Sequence, residues 1–524
     1  MADRRATLVR TMDPLAPRHP RISYALRLAL ALLVCALAVE SAGAASMRGA
    51  KSARGAGAGL VASGLGSGAA AVSGAIAASG LGMRSFGLYA QEVGSEQPLV
   101  ALNADQPYEM ASTTKVVTSL AALDLLGPYY RWRTSAYAMG PIVRGKLLGD
   151  LLIVGGGNAQ LTSEELQAWF GRMREQGLVD IQGDIVLDGF AFDLSDADHA
   201  HTPVQSANNP RHVWPAALTL DEGLLGVSLQ PSARGRKPAL ALVPSLSDVG
   251  IVNMVTPGAG CDAWAAWQGE AGGAAKVVVR GQWGAQCGSR TIHFVPPAHS
   301  GYAARALPAM WAKGGGILRG RVVAVERPLG ASAVPVGDDG APLQPLSFHR
   351  SKPLPELVRD INKTSDNMAA RNLMLSLSPG FPERAATLAG AQKIMRMWLS
   401  EQGMAADDIL VENGSGLSHS ERAKPRAMVQ LLRQGWKSEQ AEAFFESLPI
   451  AGVDGTLANR MQGGKARGRA FLKTGTLNDT CALAGYVHAL SGKVYAVAAM
   501  VNHPSAASGR PALDAFIEWV ARNG

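Results

Sequence analysis

Serine and lysine stand three residues apart at Ser112 and Lys115, within "MASTTKVVTSLAALDLLG". At that spacing on a helix two side chains share one face. A serine hydroxyl is a weak nucleophile until a base takes its proton. Lysine at its ordinary pKa of about 10.4 is protonated and no base at all. Desolvation lowers that value, and bringing it near neutrality means about 3 units, or roughly 4 kcal/mol. The run that follows is rich in Val, Leu and Ala, an amphipathic pattern with the lysine at the start of its apolar stripe. A desolvated lysine there makes Ser112 a nucleophile. An exposed one makes it a plain helix cap.

Two further motifs follow in order. Ser365-Asp366-Asn367 lies between two helical patterns, a place for a short interhelical turn carrying a hydroxyl and an amide. Lys473-Thr474-Gly475, with Thr476 next, ends the strand-like run "RAFL". An extended edge there can pair with a substrate backbone, and Gly475 removes a side chain that would obstruct the approach. Each motif alone is weak: a second S-x-N, Ser206-Ala207-Asn208, sits in a Pro/Asn-rich loop and is rejected on that context. Ser415, in "NGSGLS", is in the wrong frame for a nucleophile elbow and reads as a turn. Gly155-Gly156-Gly157 lacks the following Lys-Ser/Thr of a phosphate loop and also reads as a turn.

S-x-x-K, S-x-N and K-T-G, in this order and each in a fitting context, are the marks of β-lactamases and penicillin-binding proteins. The chain resembles the serine penicillin-recognising enzymes, and among them the class C low-molecular-mass penicillin-binding proteins, the D-alanyl-D-alanine carboxypeptidase/endopeptidases. The resemblance runs from about Phe86 onward and includes "GGGNAQLTSEELQAWFGRMREQGLVDIQGDIVLD", "PAALTLDEGLLGVSLQP" and "ENGSGLSHSERAKPRAMVQLL". Ser365 follows Ser112 by 253 residues, so a large insertion separates the motifs, as in class C. Two departures stand out: "EMAST" has no proline before the nucleophile segment, and "TLDEG" replaces an asparagine-rich run.

The resemblance implies a serine D,D-peptidase acting on peptidoglycan stem peptides or D-Ala cross-links, acylated by β-lactams and needing no cofactor or metal. Ser112 would be the nucleophile and Lys115 its base, with Lys473 the nearby cation that lowers the pKa of Lys115. Ser365 would relay a proton to the leaving amine, and Asn367 would hold the acyl-side amide. Lys473, Thr474 and Thr476 would receive the terminal carboxylate, and the N–H groups of Ser112 and Thr476 would form the oxyanion hole. A β-lactamase of related fold and a non-catalytic wall-binding protein are the alternatives.

The elements that must position these residues read as an α+β fold of β-lactamase/transpeptidase type. "SFGLYAQEV" and "PLVALNA" alternate as a hairpin leading into the serine helix. "RAFLKTGTL", "CALAGYVHAL" and "KVYAVAAMVNH" are successive strands with short links, hence antiparallel, and a last helix falls near Pro511 to Arg522. Between them, 148–344 reads as one or two β-rich inserted domains, with a helix near Ser163 to Gln176. The catalytic domain is then discontinuous, 84–147 and 345–524.

Before the body, arginines precede an apolar run from Leu28 to Val39 and a small-x-small site at Ala42-Gly43-Ala44. This is the pattern of a secretory signal over 1–44, too short to span a bilayer, and it places the protein in the periplasm with no transmembrane segment after its removal. A Gly/Ala/Ser-rich stretch, 45–83, reads as a flexible tether. Export lets Cys261 and Cys287 pair, with two separate thiols the alternative, and leaves Cys481 as buried packing. His199 and His201, a lone pair in a polar loop, do not make a metal site. The net charge of +8 is not clustered, which excludes a nucleic-acid stripe. A homo-oligomer stays open.

Overall fold

The computed structural model describes residues 70–524 except 196–197, 199–213, 233–234, 270–272, 298–300, 326–334 and 337–340. The signal sequence, most of the tether, His199, His201 and the rejected Ser206 motif lie outside the described residues. The tether expected over 45–83 ends earlier than its composition suggests. Ala70–Ala78 is a helix that buries Val72 and Ile76 against the C-terminal helix, Arg510–Asn523, so two apolar side chains suffice to dock it.

Five antiparallel strands form the central sheet, in the order Pro98–Leu102, Phe86–Glu92, Val494–Asn502, Thr480–His488, Ala470–Thr476. First and last parts of the chain thus share one sheet, with Leu88 opposite Ala499. Period-two alternation sorts the side chains into two cores. Leu483, Val487, Val497, Ala499 and Val501 face the C-terminal helix. Ala482, Ala484, Tyr486, Ala496, Ala498 and Met500 face the helices Thr114–Leu126, Leu354–Thr364, Asn367–Leu375 and Pro425–Lys437. Cys481 is buried in the first core, as packing. Small alanines on the second face let the helix Pro425–Lys437 lie close to the sheet.

That helix differs from the amphipathic reading. Every residue from Thr114 to Leu123 is buried, because the sheet lies on one side and the surrounding helices cover the others. A helix enclosed on all faces has no polar stripe to show.

The excursion between the two halves begins and ends in its own sheet. Arg133–Met139 and Ser347–Arg350, expected with the catalytic parts, pair with each other, and Arg133–Met139 pairs on its other side with Asp150–Val154. Asp150–Val154 in turn pairs in parallel with Ile185–Asp188, the crossover being the helix Ser163–Glu175. Thr162 caps that helix reciprocally with Glu165, the sequence signature of its start. Among the described residues, a small four-stranded sheet, two three-stranded sheets and the helix Tyr302–Lys313 also belong to the insertion, and Cys261 is bonded to Cys287. Among the described residues no helix is long and apolar enough to cross a membrane.

Candidate active site

Strand Tyr108–Glu109 delivers the chain into a tight turn. Ala111 takes a left-handed φ of +44°, Ala111–Thr113 winds as one 3-10 turn, and the α-helix begins at Thr114. Thr113 Oγ1 donates to Met110 O at 2.7 Å, closing the turn on itself. Ser112 therefore projects from a turn, half-buried, with two residues between it and Lys115 on the first helical turn.

Lys115 is fully buried. Its Nζ lies 3.0 Å from Ser112 Oγ, 2.6 Å from Asn367 Oδ1 and 2.5 Å from the carbonyl of Ser415. Burial pulls its pKa down to about 7, against the raising effect of Asp366 and Glu421. The partners also suit a neutral amine. A neutral amine has two N–H bonds and one lone pair. Two carbonyl oxygens take the N–H bonds, and the lone pair is left for the hydroxyl of Ser112.

Asn367 and Ser365 come from one sharp reversal. Helix Leu354–Thr364 ends on Ser365 in the left-handed conformation, φ +62°. Asp366 caps the next helix by accepting the N–H of Ala369 at 2.9 Å, and Asn367 is that helix's first residue. Burial raises the pKa of Asp366, and its bonds to N–H groups work against that rise.

Lys473 is the third arm. Alternation places Leu472 in the core of the C-terminal helix, so Lys473 points to the opposite face, toward the serine helix. It is fully buried and donates to Ser365 Oγ at 3.0 Å and to Thr474 O at 2.8 Å. Burial and the neighbouring Lys115 amine push its pKa well below the usual lysine range. Burial is the largest cause at both amines, and the repulsion between Lys115 and Lys473 disfavours charging the two together.

The strand itself is an edge. Leu472 N–H donates outward to Pro449 O at 2.8 Å, so by alternation the N–H groups of Thr474 and Thr476 also point away from the sheet. Thr474 is half-buried with Oγ1 2.8 Å from Thr456 Oγ1, and Thr476 is exposed. Gly475 has a different reason from the one expected. A Cβ there would stand 2.6 Å from Met110 O and 3.2 Å from Ser112 N, so its absence seats the strand against the serine turn rather than clearing a path for substrate.

Two residues at the site escaped the sequence reading. Ser415 supplies its backbone carbonyl to Lys115, and Glu421, fully buried, holds the loop that presents it. Glycines flanking Ser415 were the visible signal; they read correctly as a turn, but nothing marked the turn as facing the lysine. The insertion also reaches the site: Asn372, on the helix of Asn367, donates to Gly157 O at 2.9 Å and Ala216 O at 2.8 Å.

The chain as a whole is similar to known proteins. The D-alanyl-D-alanine carboxypeptidase DacB of Haemophilus influenzae is 26% identical over 426 residues, covering 80% of this chain and 85% of the relative. A D-alanyl-D-alanine carboxypeptidase of an Actinomadura species is 28% identical over 405 residues, covering 73% and 71%. The crystal structure of penicillin binding protein 4 (dacB) from Haemophilus influenzae superposes with a TM-score of 0.65 at 23% identity, over 85% of this chain and 97% of that one. The shared fold is α+β of the penicillin-recognising type, as the motifs implied. Residues 69–523, nearly the whole described chain, match the model of one peptidase family; this chain belongs to the D-Ala-D-Ala carboxypeptidase 3 (S13) family.

Proposed function

We propose that this chain is a periplasmic serine D,D-peptidase that hydrolyses D-Ala-D-Ala termini or D-Ala cross-links of peptidoglycan stem peptides, with Ser112 as nucleophile. The single observation that carries the reading is the buried amine of Lys115, held by two carbonyl oxygens with Ser112 Oγ at 3.0 Å. Membership of the family and the names of the two carboxypeptidase relatives support the substrate class.

Lys115 takes the proton of Ser112 Oγ as that oxygen attacks the carbonyl of the penultimate D-alanine. The N–H groups of Ser112 and Thr476 stabilise the oxyanion; removing one such donor typically costs about 3–4 kcal/mol. Asn367 holds the acyl-side amide while its Oδ1 steadies Lys115. The C–N bond then breaks, and the proton passes through Ser365 to the departing amine. Water cleaves the ester and restores Ser112.

Lys473, Thr474 and Thr476 receive the terminal carboxylate. Both amines are held below their usual pKa. An arriving carboxylate favours the charged form of the lysine beside it. Substrate therefore draws a proton onto Lys473 and leaves Lys115 neutral. A β-lactam, carrying a carboxylate and a strained amide in the same relation, enters the same sequence and stalls as the acyl-enzyme.

Ser112→Ala tests the reading. It is expected to abolish both release of D-alanine from a D-Ala-D-Ala peptide and covalent labelling by fluorescent penicillin. Labelling that survives the substitution would assign the nucleophile elsewhere.

A further inference from the structure

The loop Glu412–Glu421 is folded around its own last side chain. Glu421 Oε1 accepts the N–H groups of Glu412, Asn413 and Gly414 at 3.0, 2.9 and 2.8 Å, and Oε2 accepts that of Gly416 at 2.6 Å. Burial raises the pKa of Glu421 and these N–H groups work against that rise; an ionised carboxylate offers acceptor sites for all of them and no donor. Turning these N–H groups inward turns the intervening carbonyls outward. Gly414 O receives Thr118 Oγ1 at 2.7 Å, and Ser415 O receives Lys115 Nζ. Both donors lie on the serine helix. Gly416, at φ +84°, brings the loop so close that a Cβ would stand 1.9 Å from Ala111 O.

We propose that Glu421 is a positioning residue for the general base: its buried carboxylate orients the Ser415 carbonyl that fixes the Lys115 amine, and so aims the amine's lone pair at Ser112. This rests on the reading of Lys115 as base. Without the Ser415 carbonyl the amine keeps one anchor, Asn367 Oδ1, and rotates about it. The charged groups around this centre come from four elements: Asp366 from the interhelical turn, Lys473 from the edge strand, Glu421 from the loop, and Arg371 from the helix of Asn367. Arg371, buried and facing Glu421 and Glu412, keeps its charge at neutral pH and balances the carboxylate.

Glu421 also raises the pKa of Lys115 by its negative charge. Replacing it with a neutral group therefore has two effects of different kind. The maximal acylation rate falls because the amine is misaimed, and the acidic limb of the pH profile moves to lower pH because a raising charge is gone. Simple loosening would do the reverse to the limb, since water reaching Lys115 returns its pKa toward the usual lysine value.

The experiment measures acylation rates by fluorescent penicillin against pH for the wild-type chain, Glu421→Gln and Glu421→Asp, with Ser112→Ala alongside. Glu421→Gln is expected to lose about tenfold or more of the plateau rate and to shift its acidic limb downward. Glu421→Asp, which keeps the charge on a shorter stem, is expected to lose rate with its limb in the wild-type position. A folded Glu421→Gln with wild-type plateau and limb overturns the proposal, as does an upward shift of its limb. Failure of both variants to fold overturns it too, by assigning Glu421 to the fold alone. Labelling in Ser112→Ala would instead sink the peptidase reading, so the two failures are told apart.

Discussion

At Lys115 a side chain with a strongly hydrated ammonium is enclosed among alanines and valines, and the neutral form resolves the conflict. Its pKa is about 7 in the fold against 10.5 when exposed. Between those values the unfolded chain binds a proton that the folded chain does not, so stability rises with pH across the window. The penalty of the buried charge is fully present below about 7. Lys115→Met removes this dependence. Urea denaturation at a series of pH values is expected to show the difference between wild type and variant moving in favour of the wild type as pH rises through the window. A constant difference would mean that the lysine is charged in the fold. Ser112, Lys115, Ser365, Asn367 and Lys473 were all legible in the sequence, because each contributes a side chain of recognisable chemistry. The Ser415 carbonyl was not, since every residue carries one.

Among the elements, the edge strand and the serine turn are the two whose contact sets the site. Alternation in "RAFLKTGT" determines which face Lys473 occupies, and that is a property of any strand. How close the strand lies to Met110–Ser112 is a property of Gly475. In Gly475→Ala the new Cβ meets Met110 O at 2.6 Å, and one of the two backbones must withdraw. A misplacement of about 1 Å in reacting groups can cost roughly a hundredfold. The variant is expected to lose between about ten- and a hundredfold in penicillin acylation rate, with an unchanged far-UV circular dichroism spectrum. A wild-type rate would show that the turn has slack. The serine helix makes the same point in reverse: its sequence pattern suggested one buried face, and enclosure from all sides decided the rest.

Across the whole molecule, the insertion braces the site. Its Gly155-Gly156-Gly157 turn packs so tightly that a Cβ at Gly156 would stand 2.1 Å from Arg133 O, and the turn offers Gly157 O to Asn372. Trp132 Nε1, at the insertion's entrance, donates to Ser376 Oγ at 2.8 Å at the far end of the same helix. The C-terminal half of the helix bearing Asn367 is thus held by a part of the chain distant in sequence. Asn372→Leu leaves the carbonyls of Gly157 and Ala216 buried without their donor. It is expected to cost about 2–4 kcal/mol in urea denaturation, while Ser112 still labels fully at saturating penicillin. A cost near zero would mean that the insertion rests on the helix without supporting it.

The order and context of three short motifs, read with the hydrophobic periods around them, were enough to determine the fold class, the strand order's two-ended origin and the five side chains that meet in the cleft. Those are local signals: a residue's chemistry and the period of its neighbours are written in the chain itself. Only the tertiary structure decided how completely Lys115 is buried, what Gly475 is for, and that Glu421 and a backbone carbonyl complete the setting of the amine. Burial, close approach and the direction of a peptide plane arise between segments hundreds of residues apart, and no single segment carries a record of them.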